Sequence, residues 1–190
     1  MSRKQPEDGG SPIAQAGGHG RLGEEAFNAL FDQCADDVHA YAISLLGDRS
    51  SAEDITALAF ERLYRSRSRL DRSRGTPRAW LFAIARNAAL DELRRRRRQP
   101  QSELSVEALG DRSAVEALEH VERRANVREA LSALPLRERE VVLLKFHGQL
   151  SNNELARALG ISESNAGSRV HRALTRLRDS ALKLDRQEVA

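Results

Sequence analysis

Past residue 23, each proline and every glycine but one stands where an apolar pattern of three- and four-residue steps starts or stops: Gly47, Gly75, Gly110, Gly148 and Gly160, with Pro77, Pro100 and Pro135. Such punctuation reads as a string of helix ends. Only Gly167 falls inside a pattern. Between the marks, Phe27, Leu30, Phe31, Cys34, Val38, Tyr41 and Leu45 form one apolar stripe that ends at Gly47. Ser51 stands where it would cap a second helix, whose face is Ile55, Leu58, Ala59 and Leu63 and which runs into a basic segment, SRSRLDRSRG, read as a loop. Thr76 as N-cap and Pro77 at the first helical position open a third helix reaching about Arg98, before Pro100. Its first half, AWLFAIARNAAL, is apolar on most sides and is expected to be buried against the other two helices.

Composition supports this all-α reading. Ala, Leu and Arg supply 80 of the 190 residues, and Val, Ile and Thr only 17, so an all-β fold is excluded. A single cysteine excludes a disulfide scaffold or a cysteine-based zinc module. No apolar run approaches the roughly 20 residues of a membrane span, and the first residues lack a signal-peptide core, so a cytoplasmic protein is expected. Six of the twelve glycines lie in the first 23 residues with Pro6 and Pro12, and residues 1–22 read as a tail.

Charge is distributed unevenly. Residues 1–60 sum to −6, residues 61–98 to +9, residues 99–125 to −3 and residues 126–190 to +3, so two basic regions flank an acidic one. That pattern suits contact with a polyanion at two places. The densest charge is Arg94 to Arg98, five like charges that repel one another unless anions neutralise them. Asp91 is a helix-surface partner for Arg94 or Arg95 at the right spacing.

Residues 99–126 read as an acidic linker with a short amphipathic helix around Val115 to Val121. A second compact unit begins near Val127: a short helix through Val127, Leu131 and Leu134, then one opened by Pro135 with Val141, Val142, Leu144 and Lys145 to Phe146 on its face, ended by Gly148. In LSNNELARALGISESNAGSRVHRALTRLR, Ser151 and Glu154 form a capping box, Ala156 allows a close helix crossing, Gly160 suits a left-handed turn, Ile161 plugs the corner and Ser162 caps the next helix. This is the pattern of a helix-turn-helix, whose second helix enters the major groove. Along that helix Asn165, Ser168, Arg169, Arg172 and Arg176 are polar, while Ala166, Val170, Ala173, Leu174 and Leu177 supply the buried side. The bland reading is a helical hairpin with a solvated arginine face.

Catalysis finds no constellation. Cys34 lies on an apolar stripe, and His19, His39, His120, His147 and His171 show neither metal-ligand spacing nor a paired nucleophile. No catalytic residue, metal, cofactor or small-molecule substrate is expected.

Four pieces, AEDIT…AFERLYR, GTPRAWLFAIARNAALDELRRRRR, LPLREREVVLLKF and ELARALGIS…SRVHRALTRLR, carry a resemblance. Phe27 to Arg98 resembles region two of the extracytoplasmic-function sigma factors of bacterial RNA polymerase, in the sigma-70 family, and Val127 to Leu184 resembles their region four. The resemblance implies two small helical domains, three-helix region two at 23–98 and helix-turn-helix region four at 127–184, joined by a flexible linker at 99–126, with tails at 1–22 and 185–190. It implies an alternative sigma factor, a non-enzymatic subunit that binds core RNA polymerase, directs it to promoter DNA and helps open it.

By the same resemblance, the helix matching Asp54 to Arg65 docks on the clamp helices of the largest polymerase subunit, with Asp54, Leu58, Glu61 and Arg62 as contacts. The segment matching Arg69 to Arg98 melts and holds the minus-ten element. There Arg74, Arg78, Arg94, Arg95, Arg96, Arg97 and Arg98 neutralise phosphates, Asn87 offers donor and acceptor to a base with Arg86 beside it, and Trp80 is core more than stacking platform. Ser162, Asn165, Ser168, Arg169 and Arg172 face the minus-thirty-five element. An anti-sigma partner is common in the family, and nothing in this chain identifies one.

The chain departs from the family at Leu58, where a Glu is usual, and at Ala166 and Gly167, where Val and Lys are usual. Two alternatives therefore stay open: a sigma-like decoy that binds polymerase but recognises promoters weakly, and an independent helix-turn-helix repressor.

Overall fold

The computed structural model describes residues 22–70, 75–98 and 127–188, with side chains up to Leu182. Among the described residues every regular element is helical: α1 (Glu24–Leu46), α2 (Arg49–Ser66), a 3-10 turn (Arg67–Arg69), α3 (Pro77–Arg98), α4 (127–132), α5 (Leu136–Phe146), α6 (Asn152–Leu159) and α7 (Glu163–Glu188). The helix expected around Val115 to Val121 lies outside the described residues.

α1 starts at Gly23 with Glu24 and Glu25 in its first turn, where carboxylates meet the positive end of the helix dipole. The chain enters it from Leu22, which is buried and donates its N–H to the Arg67 carbonyl at 3.1 Å, so Leu22 belongs to the first unit and not to the tail. α2 starts before Ser51. Asp48 is its N-cap, its Oδ2 accepting the Ser51 N–H at 3.0 Å, and a carboxylate there gains from the helix dipole as a hydroxyl does not. Thr76 caps α3 as expected, its hydroxyl accepting the Ala79 N–H at 3.2 Å, with Pro77 next. Val38, Tyr41, Ala42, Leu63, Leu81, Phe82 and Ala85 fill the space between these three helices. Leu70, in the stretch read as loop, is buried with them. Phe31 leaves the stripe: it is exposed and rests on Phe60, within a cluster that also holds Phe27 and Tyr64.

In the second unit, Arg139 reaches back to the carbonyls of Leu131 and Ser132 at 2.8 and 2.5 Å, satisfying the open end of α4. Val127 is exposed, while Leu131 and Leu134 are buried. α5 buries Val141, Val142, Leu143 and Leu144; Phe146, expected on that face, is 60% exposed, and Leu143 takes its place. At Gly148 an added Cβ would come within 2.4 Å of the Leu144 carbonyl oxygen, so only glycine lets the chain turn there. The capping box of α6 is complete, Gly160 takes φ 66°, and Ala156, Ala166 and Ala173 let α6 and α7 cross closely. α7 runs on to Glu188, past residue 184 where a tail was expected.

Two helical units result, α1–α3 and α4–α7. They touch, α1 and α3 of the first meeting α5 and α6 of the second.

Candidate nucleic-acid interface

The arginine run ends a helix whose own acids answer it. Arg94 meets Asp91 at 2.8 Å and Arg95 meets Glu92 at 2.7 Å, each one helical turn away. Arg96 is only 16% exposed in its side chain; it meets Glu92 and Asp48 at 2.9 Å each, the Ser51 hydroxyl, and the Leu46 carbonyl at 3.2 Å. It thus ties the end of α3 to the junction of α1 and α2. Hydrogen bonds from Arg95 and then Arg96 outweigh burial and hold the Glu92 carboxyl below the usual range, and Ser51 does the same for Asp48. Arg97 and Arg98 are exposed, with no ion-pair partner among the described residues.

At the other end of α3 the expected DNA contacts face the second unit. Arg78 donates from Nη2 to Asp37 at 2.5 Å and from Nη1 to the Cys34 sulfur at 3.1 Å, while Nε and Nη2 each reach a carbonyl past the end of α5, Gly148 and His147, at 2.7 Å. Arg86 pairs with Glu140, which is 5% exposed, and donates to the Asn87 side chain at 3.2 Å. Trp80 is half-buried. With Ala79, Ala83, Ile84 and Asn87 it lines one wall of a cavity of about 500 Å³ whose other wall is Glu154, Arg157 and Ala158 of α6. The Glu154 carboxylate, already in the capping box, also accepts from the Thr76 hydroxyl at 2.5 Å. Burial pushes its pKa up, but the bonds from Thr76 and Ser151 outweigh that and hold it low. Burial raises the Cys34 thiol and lowers His147. Arg74 lies outside the described residues.

On α2, Asp54, Glu61 and Arg62 are exposed and Leu58 is half-buried, with Glu61 paired to Arg65 at 2.7 Å. On α7, Ser162 accepts the Asn165 N–H at 3.3 Å, and the Asn165 side chain accepts from Arg169 Nε at 3.3 Å. Arg172, exposed, donates to the Ser168 carbonyl at 3.3 Å; Ser168 is exposed, and Arg176 meets Glu138 at 2.5 Å. Among the described residues neither Arg169 nor Arg172 has a carboxylate partner. The groups that sequence reasoning missed are Asp37, Glu140, Glu154 in its second role, and the His147 and Gly148 carbonyls. The one available signal was Glu140, an acid on the α5 face between Leu136 and Leu143. None of the described groups of His, Cys, Asp and Glu could hold a metal ion, and no described helix is long and apolar enough to cross a membrane.

Comparison with known proteins bears on this arrangement. Residues 30–99 match the family described as Sigma-70 region 2, and residues 124–177 match Sigma-70, region 4. The chain is 31% identical over 167 residues to the probable RNA polymerase sigma factor RfaY of Xanthomonas campestris pv. campestris, covering 84% of this chain and 41% of that protein. It is 30% identical over 152 residues to the ECF RNA polymerase sigma factor SigM of Bacillus subtilis, covering 78% of this chain and 91% of that one. Among solved structures, CnrH in complex with the cytosolic domain of CnrY is similar at 25% identity and a TM-score of 0.61, over 86% of this chain and 91% of that one. With two sigma-70 regions met in order and a relative matched over nearly its whole length, the chain belongs to the extracytoplasmic-function (ECF) sigma factors of bacterial RNA polymerase.

Proposed function

We propose that this alternative sigma factor, which directs RNA polymerase to promoters, divides its work among three helices. The exposed side of α2, with Asp54, Leu58, Glu61 and Arg62, docks on core polymerase. α3, with Arg78, Trp80, Arg86, Asn87 and the run from Arg94, together with Arg74 of the preceding segment, holds and helps open the minus-ten element in region two, residues 23–98. The first turns of α7, with Ser162, Asn165, Ser168, Arg169 and Arg172, read the minus-thirty-five element in region four, residues 127–184. It works in the cytoplasm, catalyses no reaction of its own, and meets an anti-sigma partner.

The observation that carries this reading is the capped helix-turn-helix, with Asn165 and Arg169 paired on the N-terminal half of α7. Recognition helices put that half on base edges, where Arg is the commonest specific reader. The test is run-off transcription from genomic fragments with purified core polymerase and this chain, with start sites mapped. Discrete starts that share two spaced sequence elements are expected. Polymerase binding without starts would mean a decoy, and tight duplex binding without polymerase would mean a repressor.

A further inference from the structure

Two amides stand at the borders of the exposed face of α7, and they are used differently. Successive helical residues turn by about 100°, so Ser164, Ser168, His171 and Arg172 share one arc, and all four are exposed. Positions 167 and 169 lie at the two borders of that arc, each half-buried. At one border Arg169 is held by the Asn165 side chain at 3.3 Å. At the other, Gly167 has no side chain. What lies beside it is the amide of Asn152, the first residue of α6, with Nδ2 3.4 Å from the place a Cβ would take.

The polar groups around Asn152 are engaged elsewhere. Ser151 and Glu154 close the capping box, and Asn153 donates to Glu163 at 3.2 Å, tying the start of α6 to the start of α7. The Asn152 amide itself is exposed and makes no hydrogen bond to a described residue. It therefore keeps a donor and an acceptor open at the edge of a surface that the proposed function turns toward a major groove. Chemistry decides which ligand can use both. A phosphate only accepts, and would leave the amide oxygen unanswered. Guanine presents two acceptors and cytosine one donor, whereas an adenine edge sets its N6 amino group beside N7 and matches the amide at both atoms. With no Cβ at Gly167, such an edge can come close to the helix backbone.

We infer that Asn152 reads an adenine of the minus-thirty-five element, reaching it from α6 through the opening left by Gly167. Recognition is thereby shared between two helices: Arg169 serves one border of α7 from within, and Asn152 serves the other from its neighbour. A neutral reader adds selectivity without counterion release, so its loss changes which sequences are chosen and not how steeply binding falls with salt. The inference rests on the assignment of α7 to the minus-thirty-five element.

The test uses holoenzyme made with the full chain and a promoter fragment of mapped start, randomised across the minus-thirty-five element, with bound fragments sequenced. Wild type is expected to favour adenine at one position by roughly tenfold. Asn152→Ala should flatten the preference at that position alone and leave the salt slope unchanged. Asn152→Asp, which keeps the shape but loses the donor, should turn the preference toward cytosine, whose N4 amino group a carboxylate accepts. A carboxylate in the first turn of α6 suits the helix dipole, so this variant should melt no lower than wild type, which separates reading from folding. Gly167→Leu, which fills the opening, should lose the same preference, and combining it with Asn152→Ala should lose no more than either alone. A sequence profile of Asn152→Ala that matches wild type at every position overturns the inference. So does even weakening across all positions, which would put the amide on a phosphate, and so do independent losses at Asn152 and Gly167. If wild-type holoenzyme gives no start to map, the sigma reading falls and this inference falls with it.

Discussion

The C-terminal end of α3 and the N-terminal half of α7 are both basic, and they use their arginines in opposite ways. α3 has five in a row, yet Arg94, Arg95 and Arg96 are each answered by a carboxylate, and Arg96 is half-buried as a brace between helices. The N-terminal half of α7 has two, Arg169 and Arg172, and among the described residues they are held by an amide and a backbone carbonyl. Charge density along a sequence is therefore a poor measure of charge available to a polyanion. What decides is whether acids stand three or four residues upstream, as Asp91 and Glu92 do.

The largest effect expected from this contrast is on stability. Arg96→Ala removes a brace and leaves Glu92 and Asp48 short of a partner, and should cost about 2 kcal/mol in urea unfolding followed by circular dichroism. Arg97→Ala, one residue on and exposed, should change stability by less than about 0.5 kcal/mol. Equal losses at the two positions would break the distinction between a bracing arginine and an exposed one.

On promoter DNA the ranking reverses. Arg169→Ala should cost about 1 to 3 kcal/mol, concentrated at one position of the minus-thirty-five element, because Asn165 pre-orients the guanidinium for a base edge. Neutralising Arg97 and Arg98 together should weaken holoenzyme binding evenly across promoters and lower its salt slope by about 1 to 2. Competition binding over promoter variants at several salt concentrations separates the patterns; even weakening at Arg169 would move it to the phosphates.

How much of this was legible follows the range of the interactions. Caps and turns are local, so Thr76 with Pro77, the Ser151 and Glu154 box, Gly160 and Ser162 all read directly from sequence. Where two residues competed for one local role, the choice went astray: Asp48 and not Ser51 caps α2. Periodicity placed the stripes but not their edges, so Phe31 and Phe146 came out exposed while Leu22 and Leu70 went in. The candidate site suffered more. Arg78 and Arg86 lie 54 to 70 residues from their partners across the unit boundary, and no pattern of spacing foretells which carbonyl or acid will meet them.

Acid should separate the two basic helices again. The folded Glu92 pKa is lowered by Arg95 and Arg96, so its contribution is complete above the ordinary value of 4.5 and fades as pH falls through the lowered one. Asp48 behaves alike from 3.8 downwards. The Asn165 and Arg169 pair on α7 contains no carboxylate. Nitrogen-15 spectra of the full chain, taken from pH 6 to 3, should show the end of α3 and the start of α2 loosening earlier in wild type than in Glu92→Gln relative to their own values at pH 6. An identical acid response in the two proteins would remove Glu92 from the brace.

The smallest expected effect lies on α7 and concerns Gly167, the glycine with no boundary to mark. It sits inside the helix without a left-handed backbone, and a Cβ there would meet only the Asn152 side-chain amide, at 3.4 Å, an ordinary contact. Gly167→Ala should then stabilise the chain by about 0.5 kcal/mol, by restricting the unfolded state and by better helix propensity. Nothing in that geometry asks for glycine on behalf of the fold, so any reason for it must lie in how closely the helix backbone approaches a groove. Thermal melting and run-off transcription on the same variant test the two grounds separately. A higher melting temperature with unchanged transcription makes Gly167 a tolerated departure. A higher melting temperature with lost transcription places the α7 backbone against DNA at this residue. A lower melting temperature would mean that Asn152 cannot yield, and that the crossing of α6 and α7 is tighter than 3.4 Å of clearance implies.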